Sequence, residues 1–397
     1  MNGMKTTLQP ATLCARAGSE SHRSGANEPV QPPIVQSAIF DLGGTEDAEA
    51  IFSGARKGYA YSRFGNPTVD TLAGVLAGLE GGAEALVTSS GNAAALCAVT
   101  MAMHGRSGPV LTPPDIYGGS FELLRILGSA YRLPLETADP SDSSAWLAAV
   151  ARAGVVLLET PSNPVMRLID LAETITRARQ AGVPVIVDNT VATPLGQRPL
   201  EMGADWVIHS TTKYLNGHGD LMGGCVVGRE PMTRMHRSIH KNLGGTVNAF
   251  EAWLTLRGLR TFALRMERHE ANARAIAEWL SGRPEIAAVH YPGLASHPQA
   301  SLFRRQMRSA GGLLSFEFSG GEAAAARFIN GLKLVIHAVS LGGPETLVTV
   351  PARSSHRGMT PEARRSGGIS DGLVRLSAGL ESIDDLLEDM SRAIVGR

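Results

Sequence analysis

Six short apolar runs constrain this chain more than any other feature: EALVTSS, GPVLTPP, GVVLLET, GVPVIVDN, ADWVIHS and GGCVVGR. Each ends in polar or glycine residues, and helix-like stretches separate them. Runs of this length read as strands buried on both faces of a mostly parallel sheet with covering helices. In such sheets, ligands bind beyond the carboxyl ends of the strands. Here those ends carry Ser90-Gly91, Glu159-Thr160, Asp188-Asn189 and Ser210-Thr211-Thr212-Lys213.

The strand rhythm begins near Asn66, and the residues before it are rich in Gly, Pro and Ser. Within them QPPIVQSAIF holds one extended segment, so residues 1–64 read as an arm that lies on another surface. Residues 65–256 form the expected large α/β domain and 257–397 a smaller α+β domain. Asn248 to Leu280 is a long helical pattern, interrupted only by Gly258, that links the two. After it, IAAVHYPG, GGLLSFEFSG, LVIHAVS and LVRLSAGLE read as strands, and EAAAARFINGL and SIDDLLEDMSRAIVG as helices. The 397 residues suffice for two to three domains and a large core.

Lysine plus arginine and aspartate plus glutamate each number 37, which argues against nucleic-acid binding and against docking on an acidic membrane. No run of about 18 apolar residues predicts a transmembrane helix, and the N-terminus lacks the apolar region of a signal peptide. Cys14, Cys97 and Cys225 are far apart and form no CxxC, which fits a reducing cytoplasm.

Three features carry chemistry. Lys213 follows an apolar strand in HSTTKYLNGHGD, a position from which an amine forms a Schiff base with a carbonyl cofactor. Ser210 and Thr212 flank it as phosphate ligands; taken alone, a solvated loop lysine is the alternative. Asp188 ends the buried run VPVIVDN and needs a cationic or N–H partner. A protonated pyridine nitrogen would serve, as would a helix N-cap or an ion pair. SSGNAAALCAVTMAM opens a helix with a polar-glycine turn, either an anion site or an ordinary cap. His209, His218, His240 and His356 lack metal-ligand spacing, and no metal site is expected.

These pieces occur together in one family. From PPIVQSAIF to LVRLSAGLE the chain resembles the Cys/Met-metabolism family of pyridoxal-phosphate enzymes, which includes cystathionine γ-synthase, cystathionine γ-lyase and methionine γ-lyase. The matching stretches are YSRFGNPT, SSGNAA, DIYGGS, ETPSNP, VDNT, HSTTKYLNGHGD, SLGGPETL and VRLSAGLE. The resemblance implies the aspartate-aminotransferase-like, type I fold and pyridoxal 5′-phosphate as cofactor. It implies that Lys213 is the Schiff-base lysine and proton shuttle, and that Asp188 pairs with the pyridine nitrogen. Gly91 and Asn92 amides, with Ser210 and Thr212, would hold the phosphate, and Tyr61 and Arg63 would reach it from a neighbouring subunit. Tyr117 would stack on the ring and share the proton transfers, Asn163 would lie near the phenolic oxygen, and Arg375 and Ser340 would hold the substrate carboxylate.

The implied reaction is γ-elimination or γ-replacement on a γ-substituted L-amino acid. Deprotonation at Cα and then at Cβ precedes departure of the γ-substituent and leaves a vinylglycine-type electrophile, which a second, nucleophilic substrate captures in replacement. The implied assembly is a homotetramer, a dimer of dimers.

Four positions depart from the family pattern. Asn92 stands where Met is usual, Ala60 and Val339 replace carboxylates of the synthases, and Glu122 stands where Arg is frequent. Losing two carboxylates removes anchors for a second ammonium group, and Glu122 reverses the charge expected to meet an anionic tail. The departures raise, beside the synthase and γ-lyase reading, a specialised γ-replacement enzyme with a neutral or cationic leaving group such as the sulfonium of S-adenosylmethionine. Val339 also occurs in methionine γ-lyases, but those carry Cys where this chain has Gly119.

Overall fold

The computed structural model describes residues 8–19 and 29–395, so part of the N-terminal arm lies outside the described residues. All six apolar runs are strands: β1 (Glu84–Thr88), β2 (Val110–Thr112), β4 (Val155–Glu159), β5 (Val185–Asp188), β6 (Trp206–His209) and β7 (Gly224–Gly228). They form one sheet with β3 (Leu135–Thr137), in the order β1-β7-β6-β5-β4-β2-β3. β3, β2, β4, β5 and β6 run parallel, whereas β7 is antiparallel to both β6 and β1. The sheet is thus mostly parallel, with one reversed strand.

Burial on both faces explains the continuous apolar runs. Val87, Val156, Leu158, Val187, Val207 and Val227 feed one core; Leu86, Val155, Leu157, Ile186, Ile208 and Val226 feed another on the opposite face. Side chains alternate along each strand, so both sets must be apolar at once. β3 escapes the sequence pattern because LET is a short, partly exposed edge.

A second sheet has the order β10-β11-β12-β9-β8, built from β8 (Ile286–His290), β9 (Leu313–Phe318), β10 (Ile336–His337), β11 (Leu347–Thr349) and β12 (Leu373–Ser377). The expected strand LVIHAVS shrinks to the two residues of β10, and β11, inside SLGGPETLVTV, was not expected. The helical pattern after Asn248 is two helices, Ala249–Leu259 and Phe262–Ser281. They divide at Arg260–Thr261, not at Gly258, which lies inside the first helix. Gly258 serves close packing, since a Cβ there would overlap the carbonyl oxygen of Asn216. Phe262 and Met266 enter the large core and Ala273, Ile276 and Leu280 the small one, so the second helix joins the two cores.

The start of the arm is anchored on its own chain. Helix Pro10–Ala15 buries Cys14 in the large core, while the segment around Ile39 bridges to Tyr61 and packs the Phe40 ring against Tyr59. Among the described residues, no helix is long and apolar enough to cross a membrane.

Candidate active site

The carboxyl ends of β4, β5 and β6 converge with a strand of the second sheet and with the loop that follows β10. Lys213 lies in the turn just after β6, and its Nζ donates to Ser340 Oγ at 2.8 Å. Arg375 on β12 donates to the Ser340 carbonyl at 2.7 Å and to Asn163 Oδ1 at 3.3 Å. Four residues from four separate stretches of sequence are therefore one bonded chain: Lys213, Ser340, Arg375 and Asn163. Ser340 holds a φ of 98°, a conformation that side chains other than glycine's rarely adopt and that the surrounding contacts must maintain.

Electrostatics follow from burial. Lys213 is lowered to about 8, by burial first and then by the charge of Arg375, so its amine exchanges protons near neutrality. Arg375 is 4% exposed, and burial lowers it to about 10. Its Nε–H is buried without an acceptor among the described residues, leaving one donor for an anionic guest.

Asp188 and Glu159 are register partners across β5 and β4. Burial raises both carboxyls, and the charge of Asp188 raises Glu159 further. Asp188 accepts hydrogen bonds from Thr190, including its backbone N–H at 3.0 Å, with no cation bonded to it among the described residues. Glu159 accepts the backbone N–H of Tyr117 at 2.7 Å and so fixes the start of helix Gly118–Tyr131. Sequence reasoning marked Glu159 as a strand end and gave it no role. A carboxylate closing a fully buried strand was the available signal, since it must find a donor.

The anion end of the site is the start of helix Gly91–Met103. Ser90 caps it by accepting the N–H of Ala93 at 3.1 Å, which leaves the N–H groups of Gly91 and Asn92 without acceptors among the described residues. Gly91 packs against Ser210, where a Cβ would come within 2.8 Å of Ser210 Cβ. Thr190 Oγ1 accepts the N–H of Ser210 at 2.9 Å, tying this end to Asp188. The hydroxyl of Thr212 is turned to the backbone of Gly223, accepting its N–H at 3.0 Å.

Among the described residues, none of the other expected residues is hydrogen-bonded to that chain of four. Tyr117 is 39% exposed, with its ring folded over Gly119, where a Cβ would lie 2.5 Å from the ring. Asn92 reaches the Gly119 carbonyl at 3.4 Å. Arg63 donates to the carbonyl of Lys241 at 3.0 Å and lies over the Phe64 ring; neither it nor Tyr61 is bonded to the Lys213 cluster. Val339 is 63% exposed. The carboxylate of Glu122 is held by Arg125 through two hydrogen bonds of 2.8 and 2.6 Å.

The donor set fits pyridoxal phosphate: an amine poised near neutrality, free helix N–H groups for a phosphate, and a carboxylate without a cation. Comparison with known proteins agrees. L-methionine γ-lyase of Pseudomonas putida is 43% identical over 366 residues, covering 91% of this chain and 92% of that protein. Cystathionine γ-synthase of Escherichia coli strain K12 is 39% identical over 389 residues, 97% of each. The crystal structure of cystathionine γ-synthase from Xanthomonas oryzae pv. oryzae, in complex with aminoacrylate and cysteine, superposes with a TM-score of 0.89 at 43% identity, covering 98% of this chain and all of that one. A model of Cys/Met metabolism PLP-dependent enzymes matches residues 11–395, and the chain belongs to that family.

Proposed function

We propose that this enzyme performs its γ-elimination or γ-replacement on an L-amino acid whose leaving group carries no free ammonium. The observation that carries the reading is the contact of Lys213 Nζ with Ser340 Oγ at 2.8 Å, beside the buried Arg375. It puts a base that titrates near neutrality next to a fixed cation suited to an α-carboxylate. Bound pyridoxal phosphate supplies an electron sink for the bonds at Cα.

This chain's residues supply the rest. Lys213 holds the cofactor and moves the protons at Cα and Cβ. Arg375 and Ser340 orient the substrate carboxylate, and Asn163 holds Arg375 in place. The N–H groups of Gly91 and Asn92, with Ser210 and Thr212, bind the phosphate. Asp188 would pair with the pyridine nitrogen, and Tyr117 would cover the ring and assist the proton transfers.

Ala60 and Val339 offer no carboxylate to a leaving group such as the cysteine part of cystathionine. Glu122, chelated by Arg125, brings no uncompensated negative charge. That weakens the case for a sulfonium substrate and favours a neutral leaving group. A methionine γ-lyase reading draws support from the Pseudomonas putida relative and from Val339. Against it, the Tyr117 ring occupies the space that a side chain at Gly119 would fill. A panel of methionine, O-succinylhomoserine, cystathionine and S-adenosylmethionine, with mass-spectrometric product detection, tests this. Cystathionine as the best substrate by kcat/KM sinks the proposal, and S-adenosylmethionine as the best substrate overturns the preference for a neutral leaving group.

The active assembly in this reading is a homotetramer, a dimer of dimers, with Tyr61 and Arg63 completing the neighbour's phosphate site. The exposed apolar residues Ile39, Phe52, Tyr61 and Phe64 support a covered surface there. Mixing inactive Arg63→Ala and Lys213→Ala subunits should restore part of the activity. No recovery despite proven subunit exchange rules the cross-subunit role out. Three separated, buried thiols support a cytoplasmic location.

A further inference from the structure

We propose that Arg265 is the positioning residue for Lys213, a clamp that fixes the turn carrying the reactive amine. This rests on the reading of Lys213 as the cofactor-bearing lysine.

Arg265 lies on helix Phe262–Ser281, is 6% exposed, and has no carboxylate partner among the described residues. Both terminal nitrogens of its guanidinium are spent on backbone oxygens. Nη1 donates to the Tyr214 carbonyl at 2.8 Å; Nη2 reaches the carbonyls of Leu215 at 3.4 Å, Asn216 at 3.3 Å and Gly258 at 2.9 Å. Nε donates to Thr261 Oγ1 at 3.2 Å. Three consecutive carbonyls after Lys213 thus converge on one planar cation. A buried charge without an acid must be compensated by dipoles, and these carbonyls supply them.

The turn closes around this contact from other sides. The N–H of Gly217 returns to the Lys213 carbonyl at 2.7 Å, and that of Asn216 to the Thr211 carbonyl at 3.0 Å. Gly217 has a φ of 73°, and a Cβ there would overlap the Arg265 guanidinium. Gly342, in the smaller domain, approaches so closely that a Cβ would lie 2.7 Å from the Tyr214 nitrogen. Two residues earlier in the chain, Ser340 takes the Lys213 amine. Arg265 therefore holds the backbone root of Lys213 while Ser340 holds its tip.

Lysine cannot replace the arginine, because its compact ammonium offers three donors at one point and no planar fork. The test uses the holoenzyme. Arg265→Lys should move the pH midpoint of its visible absorption band by about one unit. It should lower kcat by about 10²-fold while KM stays within about twofold. Gly217→Ala attacks the same contact from the turn side and should move the midpoint the same way. Arg260→Lys is the control: Arg260 binds the carbonyls of Ala17 and Val30, away from the turn, so its loss should lower the melting temperature and leave the midpoint in place. An unmoved midpoint in the folded Arg265 and Gly217 variants, or an equal shift in Arg260→Lys, overturns the proposal. Retention of the visible band by Lys213→Ala refutes the underlying reading instead, which separates the two failures.

Discussion

The floor of the site and its rim are built by different rules. On the floor, Asp188, Glu159, Ser210, Arg375 and the Lys213 amine are each hydrogen-bonded to a backbone group or to a neighbouring hydroxyl. On the rim, Tyr117 and Val339 are substantially exposed, and the Glu122 carboxylate is held by its own helix neighbour Arg125. A buried polar group that loses its partner costs about 1–3 kcal/mol, so each floor residue restricts the identity of the next. An exposed group interacts mainly with water and changes without that penalty. The four departures from the family pattern, Ala60, Asn92, Glu122 and Val339, all avoid the floor.

Lys213→Ala tests the contrast most severely. Losing its proton transfers alone should cut turnover by about 10²–10⁴-fold, and loss of the visible band of bound cofactor checks it. Arg375→Ala comes next. Removing a charged donor to a substrate carboxylate should cost about 1.5–3 kcal/mol, ten- to a hundredfold in kcat/KM. A loss below about threefold would place Arg375 outside the substrate contact.

Burial also makes a claim about acid. His269, His297 and His356 are lowered to about 4, by burial first, from an ordinary value of 6.5. Between those values the unfolded chain binds more protons than the folded one, so stability falls as the pH drops from 6.5 towards 4. Unfolding near pH 5 should take up close to one proton per histidine, measurable as the pH dependence of the unfolding free energy. Replacing each histidine by Gln should flatten that slope by up to about 1.4 kcal/mol per pH unit. An unchanged slope means these histidines are not the acid-sensitive groups.

The smallest effect belongs to the rim. Val339→Glu restores a carboxylate at an exposed position and should improve kcat/KM for cystathionine by no more than about fivefold, the range of a solvent-screened pair. A much larger gain would show that the rim closes against solvent when substrate binds, and the contrast with the floor would narrow.

Much of the floor was legible because its signals are local. Asp188 and Lys213 stand directly at the ends of unbroken apolar strands, and Ser90-Gly91 stands between a strand and an alanine-rich helix. The role of Glu159 was not legible, because its donor is the backbone of Tyr117, 42 residues away in sequence. Two strands escaped notice for other reasons: β3, LET, has no fully buried residue to make an apolar run, and β11 follows directly on the turn-like SLGGPET. The helix break at Arg260 escaped because Gly258, the stronger breaker in isolation, is held inside the helix by its packing against Asn216.

The sequence by itself determined the layered sheet, since continuous apolar runs have no other stable place than between two cores. It also set out the residues proposed to hold the cofactor, because strand ends and helix starts carry their chemistry in a few adjacent residues. Tertiary structure alone decided that Ser340 meets Lys213, that Arg265 gathers the turn behind it, and that Arg125 occupies the charge of Glu122. The first two join residues dozens of positions apart, and all three depend on side-chain direction, which residue spacing does not encode.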